Sequence, residues 1–402
     1  MFFTPSGGTG DLQSILEVKE EKDIKKKKRN YLNQLAEKYR REDVIPPCPH
    51  FGQCGGCLFQ NMAYEDQLLL KKEMVNDILA GWEVACVHPS SPYRYRNRMD
   101  FVTAFGKCGL RRAGSYRSVV DVTACHIMQE KSCSVYQQIR PRILETVGYD
   151  YITHSGYLRY VVIREARYTG QVMLNFVIAE RENRLQPVIE SLAGDVHSIS
   201  LIYNGGFADM SFGVVYDTIK NGYIEESFDG IRYRITPNTF FQSNTETALE
   251  IYRRIRKEAV GRVLDLCSGV GSISLFIAGA AEHVTGIEMS REAADAANLN
   301  KESNRIENVE FICSDVKEFL GRSGADYDTI VLDPPRSGMQ PGVMDYLDRR
   351  RAPKIIYMSC NPASFRDDVA ALGNYTIDTI EAYDMFPQTP HVELLGILNR
   401  TE

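Results

Sequence analysis

The stretch Ser359-Cys360-Asn361-Pro362 carries the strongest chemical signal in this 402-residue chain, because it follows a strand-like run, Lys354-Ile-Ile-Tyr-Met358. A cysteine at the mouth of a strand is placed to act as a nucleophile. Its thiolate attacks well even when only a few per cent of the thiol is ionised. Alkylation of a pyrimidine at C5 is one chemistry that needs such a group, since C5 becomes nucleophilic only after something adds to C6. Taken alone, a free cysteine is more often a small buried hydrophobe. The reading of Cys360 therefore rests on the motifs around it.

The first of these runs from Arg262 to Ala278 (Arg-Val-Leu-Asp-Leu-Cys-Ser-Gly-Val-Gly-Ser-Ile-Ser-Leu-Phe-Ile-Ala). Its pattern predicts a short buried strand over Val263 to Leu266 and a tight turn over Cys267 to Gly271. A helix follows from Ser272, with Ile273, Phe276 and Ile277 as its apolar residues. Gly269 and Gly271 let the backbone approach a ligand and take positive φ. Glu288 closes the next strand-like run, His283 to Ile287, where an acid can bind ribose hydroxyls. The dinucleotide pattern Gly-x-Gly-x-x-Gly is incomplete, since Ser274 stands at its third glycine. That departure favours a cofactor without a pyrophosphate, such as S-adenosylmethionine.

Asp315 and Asp333 follow two further strand-like runs, Val309 to Cys313 and Asp328 to Leu332. Singly, each is more often a helix cap. Carboxylates at the ends of successive strands are nevertheless where a doubly wound sheet binds ligands. After Asp333-Pro-Pro comes Arg336, where methyltransferases of exocyclic amines usually carry an aromatic residue. A guanidinium there suits a phosphate or a pyrimidine carbonyl.

The ordered set Phe240-Phe-Gln-Ser-Asn244, Asp265-Leu-Cys-Ser-Gly-Val-Gly271, Asp333-Pro-Pro-Arg-Ser-Gly338, Ser359-Cys-Asn-Pro362 and His391-Val-Glu393 resembles the RNA uracil-5-methyltransferases. The resemblance covers roughly residues 48 to 402. It implies that Cys360 is the nucleophile and that Glu393 is the base that removes the C5 proton. It also puts Phe240, Gln242 and Asn244 at the cofactor and base pocket. S-adenosylmethionine would then be held by Gln242, Cys267, Ser272, Glu288, Asp315 and Asp333, with Arg336 on the substrate side. Without its context Glu393 would read as a solvated residue near the chain end.

A second constellation lies upstream, where Cys48, Cys54 and Cys57 form a Cys-x5-Cys-x2-Cys run in a Gly-rich loop, with Cys125 beyond it. Thiolates gathered in one place suit a soft metal or an iron–sulfur cluster, and zinc on four thiolates is the physical competitor. A subset of the resembled family holds a [4Fe–4S] cluster with this spacing, so the resemblance implies iron on Cys48, Cys54, Cys57 and Cys125. Cys133 is an alternative fourth ligand. Disulfides are not expected, because nothing at the N-terminus reads as a secretion signal. No apolar run approaches membrane-spanning length. A cytoplasmic protein, acting as a monomer and bound to no membrane, is expected.

The chain is 44% hydrophobic and its net charge is −6, which argues against wholesale electrostatic binding to nucleic acid. Local charge matters more. Arg94, Arg96 and Arg98 alternate with Tyr93, Tyr95 and Asn97, so a strand there would show an arginine face that tracks phosphates and tyrosines that stack unpaired bases. A solvated strand face is the plain alternative.

The expected architecture is α/β: a Rossmann-like S-adenosylmethionine-dependent methyltransferase domain preceded by a strand-rich RNA-binding domain with an iron–sulfur loop. Residues 1–47 read as a charged extension, Lys-rich at Lys25 to Arg29, with a helix over Lys26 to Arg41 and no β-barrel module. Residues 48–89 read as the cluster loop and a helix, Glu65 to Leu79, that the resemblance packs on the catalytic domain. Residues 90–235 are strand-rich, and 236–402 alternate strand and helix. RNA is the expected substrate, with large-subunit rRNA ahead of the tRNA T-loop. A cytosine-5 methyltransferase would share the thiolate and cofactor, but its Pro-Cys mark is absent around Cys360. A non-enzymatic iron–sulfur RNA-binding protein would leave Cys360 and Glu393 unexplained.

Overall fold

The computed structural model describes residues 27–401 except Lys28, Asp43, Ala193 and Asp195. Most of the expected charged extension, including the start of the lysine run, lies outside the described residues. Residues 29–39 form α1, and α2 spans Tyr64–Leu79. Among the described residues no helix is long and apolar enough to cross a membrane.

The chain contains β1 (Val87–His88), β2 (Arg98–Ala104), β3 (Lys107–Arg112), β4 (Ser115–Asp121), β5 (Leu158–Glu165), β6 (Val172–Ile178), β7 (Ser198–Tyr203) and β8 (Val214–Lys220). All but β1 join one seven-stranded sheet of order β4-β3-β2-β5-β6-β7-β8. Every neighbouring pair is antiparallel except β6 with β7. Every residue of β6 is buried, because both faces of the sheet centre are covered. On one face lies α3 (Glu130–Glu145), whose Tyr136 stacks on Phe101 of β2 with centroids 3.8 Å apart. Its hydroxyl donates to the carbonyls of Cys108 and Val122, so the buried polar tip is satisfied. Burying such a ring contributes about 1.5–3 kcal/mol.

After a hairpin of β9 (Ile224–Phe228) and β10 (Ile231–Ile235) comes the second sheet. It adds β11 (Arg262–Leu266), β12 (His283–Glu288), β13 (Val309–Cys313), β14 (Thr329–Leu332), β15 (Lys354–Ser359), β16 (Tyr375–Tyr383) and β17 (Glu393–Arg400). The order is β1-β16-β17-β15-β14-β11-β12-β13. Its central strands are parallel and apolar on both faces, as helices on either side require. The exception is β17, antiparallel to both β15 and β16.

The helices after these strands start where the sequence offers a cap. Asn244 and Asn361 each accept a backbone N–H at the start of Thr245–Glu258 and Pro362–Ala370, and Pro362 occupies the first turn.

α2 docks on the catalytic sheet through a buried ion pair. Lys71 bonds Asp384, both fully buried, and its Nζ also donates to the Phe386 carbonyl at 3.1 Å. Gln67 Nε2 donates to Gln388 Oε1 at 3.0 Å. These bonds fix the segment that leads into β17, and with it the position of Glu393.

Candidate active site

One cavity of about 870 Å³ opens at the carboxyl ends of β11, β12, β14 and β15. The turn after β11 forms its floor: Cys267 and Gly269 have φ of 66° and 57°, and Gly271 has φ of 79°. A Cβ on Gly271 would stand 2.5 Å from the Phe311 ring, so no larger residue fits there. Glu288 shapes the turn, its Oε2 accepting from Gly269 N at 2.9 Å and its Oε1 from Ser290 N at 2.7 Å. Gln242, Cys267, Ser272, Glu288 and Asp333 all line this cavity.

Asp315 does not. It caps the helix Val316–Arg322, accepting from Lys317 N and Glu318 N, while Gln340 donates to its other oxygen. Those hydrogen bonds, led by Gln340, hold its carboxyl below the usual range. Asn244 is also absent from the wall. It is buried, caps its helix, and donates to Ser90 Oγ and the Met385 carbonyl, so it positions the site without facing it. Phe240, by contrast, is 70% exposed on the cavity rim.

Cys360 and Glu393 share the cavity. Ser359 of β15 pairs with Leu394 of β17, which brings Cys360 and Glu393 together at the end of the ladder. Burial lifts the Cys360 thiol to about 11, with the Glu393 charge adding and Arg336 opposing. Glu393 is pushed well above the carboxylate range by burial and then by Asp333. Asp333 itself is raised to about 7, by burial and then by Asp265. These surroundings favour the protonated forms of Asp333 and Glu393 and a neutral thiol at Cys360.

Arg336 closes one side. Its Nη2 lies 2.9 Å from His391 Nδ1 and 3.5 Å from Nε2, and a guanidinium can only donate, so the imidazole accepts. The Arg336 carbonyl accepts from Asn361 Nδ2 at 2.9 Å and Ser364 Oγ at 3.0 Å. Three sequence-distant motifs are thus tied together around the thiol.

The arginine stripe departs from expectation. Arg94 has φ of 57° and β2 begins only at Arg98, so there is no continuous strand. Arg94 donates to the Met128 carbonyl, and Arg98 is paired with Asp100. Tyr95 is buried with its hydroxyl on the Pro387 carbonyl, and Asn97 is buried against Gln242 and Thr245. Neither can stack a base. Arg96 alone of the three arginines lines the cavity.

A second cavity of about 240 Å³ is lined by Cys48, Cys54, Cys57 and Cys125, with His50 and His126. All four thiols are buried and free of disulfides. Burial raises Cys57 to about 12 and Cys125 to about 11, and each feels neighbouring thiols. Cys133 is buried but does not line this cavity. Among the described residues no group of three or more His, Cys, Asp or Glu side chains is set to hold a single metal ion. Gly56 and Arg96 line both cavities, and the loop also lends Gly55 and Leu58 to the larger one. No sequence signal announces that adjacency. It arises because Gly55 N bonds the Arg111 carbonyl on one side while Leu58 N bonds the Gln388 carbonyl on the other.

Fold and cavity together define an S-adenosylmethionine-dependent methyltransferase of the α/β class. The family model of tRNA (uracil-5-)-methyltransferases matches residues 218–401. The tRNA (uracil(54)-C(5))-methyltransferase of Pyrococcus furiosus is 36% identical over 356 residues, covering 88% of this chain and 85% of its own. That of Pyrococcus horikoshii is 32% identical, covering 98% and 94%. The crystal structure of the Pyrococcus abyssi tRNA (uracil-54, C5)-methyltransferase in complex with S-adenosyl-L-homocysteine is similar at a TM-score of 0.78 and 34% identity, covering 86% and 84%. The chain belongs to this family and is an S-adenosylmethionine-dependent RNA (uracil-5-)-methyltransferase. These relatives carry tRNA in their names, against the expectation of large-subunit rRNA.

Proposed function

We propose that the enzyme methylates C5 of a uridine in the T-loop of tRNA, the position that the pyrococcal relatives' names give as 54, and that the rRNA expectation be set aside. The placement of Cys360 and Glu393 in one cavity with the Gly269–Gly271 turn is the observation that carries the mechanism. The target uridine leaves its stack to enter the cavity. Cys360 gives its proton to solvent, the thiolate Sγ bonds to C6, and the C5–C6 electron pair moves to C5 and O4. C5 then takes the methyl group from the sulfonium of S-adenosylmethionine, leaving S-adenosylhomocysteine. Glu393 removes the C5 proton, the C5–C6 double bond reforms, and Sγ leaves. Gln242, Cys267, Ser272, Glu288 and Asp333 are the residues proposed to hold the methyl donor. Arg336 and Phe240 are proposed to meet the base, and Arg96 the RNA.

For the second cavity we propose a [4Fe–4S] cluster. Its lining includes four thiols free of disulfides, the ligand type such a cluster takes. Cys48, Cys54, Cys57 and Cys125 would hold it. It would supply no redox step to methyl transfer, and its proposed role is to order the loop that forms a wall of both cavities. We take the enzyme to act as a cytoplasmic monomer, with residues 48–89, 90–235 and 236–402 as cluster-binding, RNA-binding and catalytic regions.

The test is nucleoside analysis of unmodified tRNA and large-subunit rRNA fragments incubated with protein and labelled methyl donor. Methyl label in 5-methyluridine of tRNA is expected. Label confined to rRNA, or to 5-methylcytidine, would overturn the assignment.

A further inference from the structure

The connection between β7 and β8, residues 204–213, shows its aromatic side chains to solvent, yet it is built from the inside. Arg159 of β5 is fully buried. Its Nη1 donates to the carbonyls of Asn204 at 2.7 Å and Gly206 at 2.5 Å, and its Nη2 to that of Ala208 at 2.6 Å. The Asn204 side chain donates to the carbonyls of Met210 and Phe212 and accepts from Gly206 N. Gly213 is required, because a Cβ there would stand 2.3 Å from the Tyr203 carbonyl oxygen. Irregular backbone is thus pinned at five carbonyls by two buried side chains. The product of this scaffolding is exposure: Phe207 is 75% and Phe212 51% accessible.

The loop is continuous with the active site. Asn238, on the wall of the large cavity, donates to the Gly213 carbonyl at 2.8 Å, and the exposed Phe240 follows two residues later. At its other end Phe207 borders a cavity of about 440 Å³ that includes Arg111, Arg117 and His154, with Asp209 as its one acid. Asp209 is already paired with Arg111 at 2.6 Å. The lining thus combines aromatic rings with two arginines to one carboxylate, which suits bases with phosphates and opposes an acidic protein.

We propose that residues 204–213 are an RNA-docking platform on which unpaired nucleotides neighbouring the target uridine stack, with Phe207 and Phe212 as the stacking surfaces. This rests on the RNA methyltransferase reading of the neighbouring cavity. The platform holds the loop of the substrate open while Phe240 receives the flipped base, so it acts on RNA affinity and leaves the chemical step alone.

The experiment compares wild type with Phe207→Ala/Phe212→Ala, both saturated with S-adenosylhomocysteine, for binding of an unmodified tRNA by fluorescence anisotropy. It also measures kcat and KM for methyl transfer. Stacking on one ring corresponds to about ten-fold in affinity. The double variant should raise Kd and KM for RNA at least ten-fold, with kcat within two-fold and melting temperature unchanged, since both rings are exposed. Phe207→Tyr/Phe212→Tyr keeps the rings and should restore binding. Unchanged RNA affinity would overturn the platform even if methyl transfer is intact. Weakened affinity in a protein that methylates no uridine would uphold the platform and sink the reading of the cavity. A change of oligomeric state on light scattering, with RNA affinity unmoved, would assign the patch to a second copy and also overturn the proposal.

Discussion

Cys360 meets Glu393 because β17 runs backwards between β15 and β16. In that antiparallel register Ser359 pairs with Leu394 on one side of β17, and Tyr383 pairs with Glu393 on the other. The proposed nucleophile thus leaves the end of β15 just where the proposed base enters β17. The proposed base is paired in the ladder and the proposed nucleophile directly follows the last ladder pair of β15, and such rigidity preserves the geometry on which proton abstraction depends.

Cys360→Ala should abolish methyl transfer while leaving S-adenosylmethionine affinity within a few-fold, since the thiol acts on the base. Wild-type protein should form a denaturation-stable adduct with RNA containing 5-fluorouridine, because fluorine cannot leave as a proton does. Activity above a few per cent of wild type in the variant would rule out covalent catalysis by this residue.

Glu393→Gln keeps the side chain's shape and removes the base. Turnover should fall on the order of 100- to 10,000-fold, and a methylated protein–RNA adduct should accumulate on denaturing gels. A variant with wild-type turnover and no trapped species would show that the proton leaves by another route.

The pH dependence follows from the raised acids. Burial penalises the anions of Asp333, which lies at about 7, and of Glu393, which is pushed well above the usual carboxylate range, and it lifts Cys360 to about 11. A base must be ionised and a thiol deprotonated, so kcat/KM should rise with pH through the neutral range and keep rising toward about 11. The methyl donor carries a sulfonium and its product does not. Binding the donor near pH 7 should therefore release more protons than binding S-adenosylhomocysteine, measured by calorimetry in buffers of different ionisation enthalpy. Equal proton counts would contradict this charge coupling.

Asp265 offers a stability test. It is fully buried, hydrogen-bonded by Ser274, and lifted from 3.8 to about 7 by burial first. A carboxyl raised in the folded state contributes stability that is complete below its unfolded value and is lost as pH rises through the folded one. The unliganded wild type should therefore lose stability between about pH 4 and about 7 on this account. Asp265→Asn should gain in melting temperature over wild type at about pH 8 relative to about pH 5. A difference independent of pH would refute the assigned cause.

Protein purified without oxygen should be brown and hold about four irons per chain. Cys54→Ser should lower iron content, stability and RNA affinity, while the folded fraction still binds S-adenosylmethionine. Because the loop lends Gly55, Gly56 and Leu58 to the large cavity, turnover should also fall. Stoichiometric zinc without iron in anaerobic protein would overturn the cluster and leave the methyltransferase standing.

The sequence by itself determined the local pieces. Apolar runs bounded by glycine and acid marked β11, β12, β13 and β15 to within a residue or two, since a buried strand must be apolar whatever its neighbours are. Short motifs singled out Cys360 and the turn after β11, while only the family resemblance points to Glu393. Tertiary structure decided what those pieces face. The alternation of Arg94, Arg96 and Arg98 is visible in the sequence, but Arg98 is neutralised by Asp100 and Tyr95 is sealed under Pro387. Capping needs only the adjacent backbone, so Asp315 and Asn244 satisfied their own helices and turned from the cavity. The shared wall of the two cavities and the exposed rings of Phe207 and Phe212 depend on contacts between segments far apart in the chain. Such contacts follow from the register of β17 and the buried charge of Arg159, and no local pattern encodes either.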